Sequence, residues 1–128
     1  MRIVSTDKAT QPRGHYSQAI VHNGVVYVAG QLASDLSNPS APPGDVAEQT
    51  RNILGHVAEI LEAAGSRLDL MLQATIFVSD MSQWNAVNKA FAEMLGDHRP
   101  ARAVVPIADL PRGRLLEMQV MAALPEEA

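Results

Sequence analysis

Arg102 and Glu117 are the two charged residues whose surroundings suggest chemistry. Each stands in a strand-like run whose other side chains are mostly uncharged. The planar guanidinium of an arginine in a partly dry cleft matches a carboxylate with two parallel hydrogen bonds, and a carboxylate nearby can orient water and transfer protons. The pair is therefore a candidate site for a small acid. A structural salt bridge between strands or subunits needs the same two residue types, and spacing alone leaves both interpretations open.

Other familiar kinds of reactive site are disfavoured by the sequence. It contains no cysteine, which excludes a thiol nucleophile, a disulfide and a thiolate metal site. The histidines at positions 15, 22, 56 and 98 show no ligand spacing with one another or with carboxylates, and there is no phosphate loop or serine–histidine–aspartate pattern. We therefore expect neither a metal nor an organic cofactor, and we expect His56 to lie on the surface of a helix.

Length and composition predict one domain over residues 1–128. A chain of 128 residues with 47% hydrophobic and 19% charged residues can bury a core without crosslinks. The net charge is -4, the basic residues are dispersed and aromatic residues make up 4%, so a nucleic-acid partner is not expected. The first ten residues have no signal-peptide core and no later apolar run reaches membrane-spanning length. We expect a soluble, cytoplasmic protein with no membrane partner.

Turn and capping signals locate a hairpin and two helices. Asn23-Gly24, inside the strand-like run Tyr16–Ala29, is the dipeptide best suited to a type I′ turn. Asp45 as N-cap and Gly65 as the C-terminal stop enclose a long amphipathic pattern, which predicts a helix. A second helix is expected from about Ser82 to Leu95, where apolar residues again share one face.

Alternation of apolar and polar residues predicts the remaining strands. They are expected at Leu72–Val78, Ala101–Ala108 and Arg114–Leu124, with a further short strand at Arg2–Ser5. Leu72 is expected to share the apolar face of its strand with Ala74, Ile76 and Val78. The order β-β-α-β-α-β-β, which a first short strand can precede, indicates an α+β sandwich with one mainly antiparallel sheet and two helices on one face.

The face of this sheet away from the helices is also poor in charge. In the first hairpin both alternating sets are apolar, and in the last strand the second set, residues 115, 117, 119, 121 and 123, contains only one charged residue. An apolar sheet face of several strands exceeds what soluble monomers usually expose, so we expect another subunit to cover it. The pattern does not choose between a dimer and a trimer.

The same alternation predicts Arg102 and Glu117 on that second face. If Ala103 and Val105 point to the helices, then Arg102 and Val104 point away from them, as Glu117 does. Antiparallel pairing of the last two strands would set Glu117 beside Val104 or Pro106, roughly 7 Å or more from Arg102. That spacing leaves room for a small ligand.

Five segments in the right order resemble the RidA/YjgF family of reactive-intermediate deaminases. The segments are Arg13-Gly-His-Tyr-Ser-Gln18, Val28-Ala-Gly-Gln31, Glu62-Ala-Ala-Gly65, Thr75-Ile-Phe-Val-Ser-Asp80 and Pro100-Ala-Arg102, and Leu115-Leu-Glu117 follows them. The resemblance implies a homotrimer of chorismate-mutase-like α+β protomers around a central barrel, with active sites between subunits. It also implies hydrolysis of 2-imino acids and their enamine tautomers, such as 2-aminoacrylate and 2-iminobutanoate, to 2-oxo acids and ammonia without a cofactor.

The resemblance also assigns roles by position. Arg102 corresponds to the family's carboxylate-binding arginine, Glu117 to its water-orienting acid, Tyr16 to its pocket tyrosine and Gly30 to a backbone wall of the pocket, with Ala29 beside it. Without the resemblance, Tyr16 would be read as a core or edge aromatic residue. Relatives also suggest two alternatives, a non-catalytic trimer that binds small acids and the ribonuclease or translation inhibitor named for some of them.

Three departures from the family pattern bear on substrate choice. Ala103-Val104 stands where the best-known deaminases have Ser-Cys, His15 replaces the usual proline, and the segment 88–102 is shorter than theirs. Val104 makes the expected pocket more apolar and removes any thiol contribution. Since Arg102 and Glu117 both remain, these changes put the substrate in doubt rather than the class of reaction.

Overall fold

The computed structural model describes residues 1–126, which form one six-stranded sheet and two α-helices joined by loops and short 3₁₀ turns. The elements are β1 (Arg2–Val4), β2 (Ala19–His22), β3 (Val25–Gln31), α1 (Val46–Ala64), β4 (Met71–Val78), α2 (Trp84–Leu95), β5 (Ala101–Pro106) and β6 (Leu116–Ala123). The strand order across the sheet is β1-β2-β3-β6-β4-β5. All neighbouring strands are antiparallel except β4 and β5, which are parallel. The predicted α+β architecture is confirmed.

The predicted pairing of the last two strands is wrong. β4 lies between β5 and β6, antiparallel to β6 and parallel to β5. The segment that joins β5 to β6 contains a 3₁₀ turn, Pro111–Gly113, in which Arg112 has a φ of 57°. Nearness in sequence favoured a hairpin, whereas the β4-α2-β5 unit places β5 at the outer edge of the sheet.

The turn between β2 and β3 has the predicted geometry. Asn23 and Gly24 have φ values of 50° and 76°, the two successive positive values that a type I′ turn requires. The backbone N–H of Leu124 donates a hydrogen bond of 2.9 Å to the carbonyl of Gly24. The hairpin is therefore tied to the chain just beyond β6.

Helix α1 begins and ends at the predicted residues. The carboxylate of Asp45 accepts a hydrogen bond of 2.8 Å from the backbone N–H of Glu48, and this bond is the main reason that the pKa of Asp45 is lowered. Gly65 ends the helix with a φ of 90°, a left-handed conformation that glycine adopts without strain. Both ends therefore follow from local sequence.

The prediction that His56 lies on the surface is wrong. The side chain is only 7% exposed, and a ring nitrogen lies 3.0 Å from the carbonyl oxygen of Ser34. Asn52, one turn earlier, donates to the same carbonyl and accepts from the Ser34 N–H. The chain that leaves β3 thus packs along the side of α1 that the helical pattern assigned to solvent.

Helices α1 and α2 cover one face of the sheet and form the core with it. The buried strand residues on this face include Val26, Val28, Ala74, Ile76, Val78, Leu116, Met118, Val120 and Ala122. The predicted place of Leu72 in this set is wrong, because a register shift between Met71 and Gln73 turns Met71 inward and leaves Leu72 47% exposed.

The other face of the sheet, here called the open face, has no element packed on it within residues 1–126. Its side chains are those that alternate with the core, among them Ile20, Tyr27, Thr75, Phe77, Val105, Glu117 and Met121. Tyr27 and Val105 remain 47% and 37% exposed. The open face is therefore largely apolar, as the sequence predicted.

Neither α1 nor α2, nor any other helix within residues 1–126, combines the length and the apolar character that crossing a membrane requires.

Candidate functional site

Arg102 lies on β5, the outer edge strand of the sheet, and points to the helix-covered side. Its register partner on β4 is Ala74, a fully buried core residue, and paired residues of adjacent strands share a face. The prediction that Arg102 shares a face with Glu117 is therefore wrong. The error comes from β5, where residues 102 and 104, rather than 103 and 105, face the helices.

Two aromatic rings of α2 hold the Arg102 guanidinium. Its central carbon lies 5.6 Å from the centroid of the Trp84 ring and 5.1 Å from that of the Phe91 ring. Both distances are within the range of cation–π attraction. Within residues 1–126 no carboxylate forms an ion pair with Arg102. The rings orient the guanidinium without neutralising its charge, which leaves its N–H donors available to an external anion.

Arg102 lines a cavity beside the C-terminal half of α2 and the start of β5. This space, here called the Arg102 cavity, has a volume of about 490 Å³ and is lined by Asn88, Phe91, Ala92, Leu95, Gly96, His98, Arg99, Pro100 and Arg102. Val104 points to the same side of the sheet as Arg102, but it packs against the core and does not line the cavity. The expected pocket contact of Val104 is thus absent from the single chain.

Glu117 lies on β6 and points to the open face, where it contacts the backbone of Gly30. A Cβ atom at position 30 would overlap the Oε1 atom of Glu117. The register of β3 against β6 shifts between Val28 and Gln31, so that Gly30 sits in an irregular part of the strand pair. Gly30 therefore provides the space that the Glu117 carboxylate occupies.

Tyr16 and Gly30 line a second space, here called the Tyr16 cavity, with a volume of about 320 Å³. Its other lining residues are Thr10, Gln11, Arg13, Gln18, Gln31, Leu32, Ala33, Ser34, Pro111, Arg112 and Arg114. The Tyr16 side chain is 55% exposed. Ala29 is half-buried, and its N–H donates to the carbonyl of Gln18 at 2.9 Å, which joins β3 to the segment that follows Tyr16.

One chain thus brings the sequence-derived candidates together in two separate groups. Tyr16, Ala29, Gly30 and Glu117 lie at β3 and β6, and Arg102 lies at β5. Glu117 pairs with Phe77 on β4, and Phe77 lies three residues after the β4 residue that pairs with Arg102. With usual strand spacings this puts the two Cα atoms about 14 Å apart, with side chains on opposite faces. A single chain cannot place both charged groups on one small molecule.

Sequence reasoning missed the aromatic pair around Arg102. Trp84 and Phe91 are seven residues apart on the apolar face of α2, a spacing that by itself indicates packing against the core. Trp84, however, is 38% exposed. The two aromatic residues on one face of α2 were visible in the sequence. They point to Arg102 only once β5 is known to turn residue 102 toward α2.

Residues 1–126 contain no group of three or more histidine, cysteine, aspartate or glutamate side chains placed to hold a metal ion.

Comparison with known proteins decides the family. The model of the family described as Endoribonuclease L-PSP matches residues 6–124. The chain belongs to this family, which is the RidA/YjgF family.

Relatives across this family are similar over nearly their whole length. A RutC family protein of Sulfurisphaera tokodaii is 38% identical over 96% of this chain and 98% of its own. A 2-iminobutanoate/2-iminopropanoate deaminase of Capra hircus is 36% identical over 94% of this chain and 88% of its own. The crystal structure of RidA from an Antarctic Psychrobacter superposes with a TM-score of 0.90 at 31% identity, covering 97% and 100% of the two chains. The family resemblance and the α+β fold that it implied for the protomer are confirmed.

Substitution of Gly30 by alanine tests the contact with Glu117. The added Cβ would force the carboxylate away from its present place, while the fold should persist because a carboxylate at the end of a flexible side chain can move. If Glu117 acts on substrate, we expect kcat to fall about a hundredfold, in the range seen for loss of a positioned general base. Gly55, whose Cβ would meet nothing within 4 Å, supplies the matched control Gly55→Ala. Equal activity of both variants would contradict a catalytic role for Glu117 in this position.

The only tryptophan of the chain makes the Arg102 site observable. Because the Trp84 ring lies 5.6 Å from the guanidinium carbon, a carboxylate that binds Arg102 changes the charge and hydration next to the indole. We expect 2-oxobutanoate to cause a saturable change in tryptophan fluorescence, and Arg102→Met to abolish it. An unchanged titration in Arg102→Met would show that the ligand binds elsewhere.

Proposed function

We propose that this protein hydrolyses 2-imino acids and their enamine tautomers to 2-oxo acids and ammonium, in a homotrimer whose active sites lie between neighbouring subunits. The observation that carries the proposal is the division of the candidate residues into two groups on separate surfaces of one chain, each with a charged group that forms no ion pair within residues 1–126. A second copy of the chain can bring its own Glu117 group next to the Arg102 group of the first.

The apolar open face supports assembly. Tyr27, Phe77 and Val105 lie on it beside Glu117, and no element within residues 1–126 covers them. Association through this face would remove apolar area from water and at the same time exclude water from the carboxylate. A closed ring of three copies would repeat one interface between the β5 side of one subunit and the β3–β6 side of the next.

Each group has a defined task in the proposed reaction. Arg102 holds the substrate carboxylate through paired N–H donors, and its aromatic neighbours fix the plane of the fork. Glu117 of the next subunit orients a water molecule and takes its proton. The backbone at Ala29 and Gly30 forms the wall against which the substrate lies. The Tyr16 hydroxyl hydrogen-bonds to the substrate. Val104 packs against the core on the same side of β5 as Arg102 and contributes no reactive group.

The bond changes are those of imine hydrolysis. Water adds to the electrophilic carbon of the protonated C=N bond and loses a proton to Glu117. The proton then returns from Glu117 to the amino nitrogen and the C–N bond breaks to release ammonia. A C=O bond forms as the hydroxyl proton passes through Glu117 to the ammonia, which leaves as ammonium. Holding the carbon next to an oriented water supplies much of the rate, because the iminium carbon is already electrophilic. The named activity of the Capra hircus relative supports this class of reaction.

A trapping assay tests the proposed activity. An amino-acid oxidase generates the imine, semicarbazide traps it, and a deaminase suppresses semicarbazone formation by competing for the imine. We expect the wild-type protein to suppress the signal and Arg102→Ala to lose at least about a hundredfold in kcat/KM, because the substrate carboxylate would lose a charge-assisted pair of hydrogen bonds.

Arg51→Ala is the matched control, since Arg51 is exposed on α1 and lines neither the Arg102 cavity nor the Tyr16 cavity. Suppression that survives in Arg102→Ala would contradict the proposed role of this residue. Absence of suppression by the wild type with every amino acid tried would remove the deaminase proposal. Ligand binding without turnover would then support a binding trimer, and RNA cleavage independent of Arg102 would support a ribonuclease.

Subunit complementation tests the shared site. Arg102→Ala chains and Glu117→Gln chains should each be inactive alone, yet every mixed trimer contains one interface that combines an intact Arg102 with an intact Glu117. After unfolding and refolding an equal mixture, we expect about a quarter of the wild-type activity, since about three quarters of random trimers are mixed and one site in three is complete. Activity that stays at the level of the separate variants would contradict a site shared between subunits.

A further inference from the structure

Three arginines line the Tyr16 cavity together with residues of the proposed active site. Arg13 comes from the segment before Tyr16, while Arg112 and Arg114 come from the connection between β5 and β6. Among residues 1–126, no aspartate or glutamate lines the cavity. This concentration of positive charge stands in a chain whose net charge is -4, so it is a local feature and does not reflect an overall basic surface.

None of the three arginines forms an ion pair within residues 1–126, and a backbone carbonyl holds one of the three guanidinium groups. Arg114 donates from Nε to the carbonyl of Ala33 at 3.0 Å and so is fixed across the cavity wall. Arg112 lies at the tip of the Pro111–Gly113 turn with a φ of 57°, a backbone conformation that is unfavourable for an arginine. The one ion pair within residues 1–126 joins Arg67 to Asp69, and neither of these residues lines the cavity. The cavity therefore carries unneutralised positive charge.

Like charges gathered on one concave wall raise the local concentration of anions and bind them most strongly when a ligand supplies the missing negative charge. A volume of about 320 Å³ is at the lower end of the range for small-molecule sites, which suits one end of a compact metabolite. The wall also carries neutral hydrogen-bonding groups, including the paired hydroxyls of Thr10 and Ser34 at 2.5 Å. Carboxylate oxygens could accept from both kinds of donor.

The cavity adjoins the place where the reaction is proposed to occur. Gly30 lines it, and the same glycine is in contact with the Glu117 carboxylate. Tyr16 lines it as well. A substrate whose imine carbon lies at Glu117 and whose first carboxylate binds Arg102 of the neighbouring subunit would extend its side chain along Gly30 and Tyr16 toward the arginines.

We infer that the Tyr16 cavity binds a second carboxylate on the substrate side chain, so that the preferred substrate class is 2-imino dicarboxylates. This inference rests on the proposed function for its reaction, and it adds the identity of the side chain. The representative reaction is protonated 2-iminoglutarate plus water to 2-oxoglutarate plus ammonium, in which the distal carboxylate undergoes no bond change. Its role is to position the imine carbon, which lowers KM and favours attack by the oriented water.

Substrate comparison tests the inference in catalysis. 2-Iminoglutarate from glutamate oxidase and 2-iminohexanoate from an amino-acid oxidase acting on norleucine are compared by semicarbazide trapping. We expect the wild type to favour 2-iminoglutarate. In the double variant Arg13→Gln, Arg112→Asn, the ratio of the two kcat/KM values should fall at least about tenfold, the usual loss for a charge-assisted hydrogen bond. Asparagine is chosen at position 112 because it tolerates a positive φ better than most residues.

The matched control is Arg51→Gln, Arg67→Gln, which removes the same number of positive charges outside both cavities. This control should keep the wild-type ratio, which separates a local site from the effect of net charge. If the wild type hydrolyses 2-iminohexanoate but shows no preference for 2-iminoglutarate, or if the ratio is the same in both double variants, the inference is wrong while the proposed function stands.

A binding measurement decides the inference even if no imine is hydrolysed. By calorimetry, 2-oxoglutarate should bind the wild type at least about tenfold more tightly than 2-oxohexanoate, and Arg13→Gln, Arg112→Asn should remove this difference. Equal affinities for the two ligands in the wild type would overturn the inference. Tighter binding of inorganic phosphate than of 2-oxoglutarate would also overturn it, because the cavity would then be a phosphate site.

Discussion

Within residues 1–126 the helices cover one face of the sheet only, and the other features of the molecule depend on that constraint. Residues of β3, β4 and β6 alternate between a fully buried core and an open face that is also largely apolar. A monomer would leave this second face in water, where it carries a free-energy cost roughly proportional to its apolar area. The same face carries Glu117, so the surface that favours association is also the surface that presents the candidate carboxylate.

Arg102 belongs to the other side of the sheet, and its surroundings are unusual for a half-buried arginine. A carboxylate partner would orient the guanidinium well but would also compete with any acidic ligand. The rings of Trp84 and Phe91 provide orientation through their faces and leave the in-plane N–H donors free. The arrangement suits a residue whose partner is a ligand, because the charge is held in position and is not satisfied within residues 1–126.

The elements that the sequence predicts well are those with local causes. The type I′ turn at Asn23-Gly24 and the ends of α1 at Asp45 and Gly65 follow from the conformations and hydrogen bonds of the residues themselves. The errors arise where distant parts of the chain decide the outcome. His56 is buried by the segment after β3, and Leu72 is turned outward by a register shift against β6.

The orientation of Arg102 shows why part of the site lay beyond sequence reasoning. Alternation along β5 allows two assignments of its faces, since alanine and valine occupy both sets and neither is distinctly polar. The choice is made by β4, which pairs with β5 in parallel and places Arg102 in register with buried Ala74. This orientation decides how a site can form. With Arg102 and Glu117 on one face, a monomer could hold a substrate between them. On opposite faces, the two groups can meet only across an interface between subunits. The contact between Gly30 and Glu117 agrees with the proposed assembly, because it leaves the carboxylate on the open face, where a second subunit would close the site.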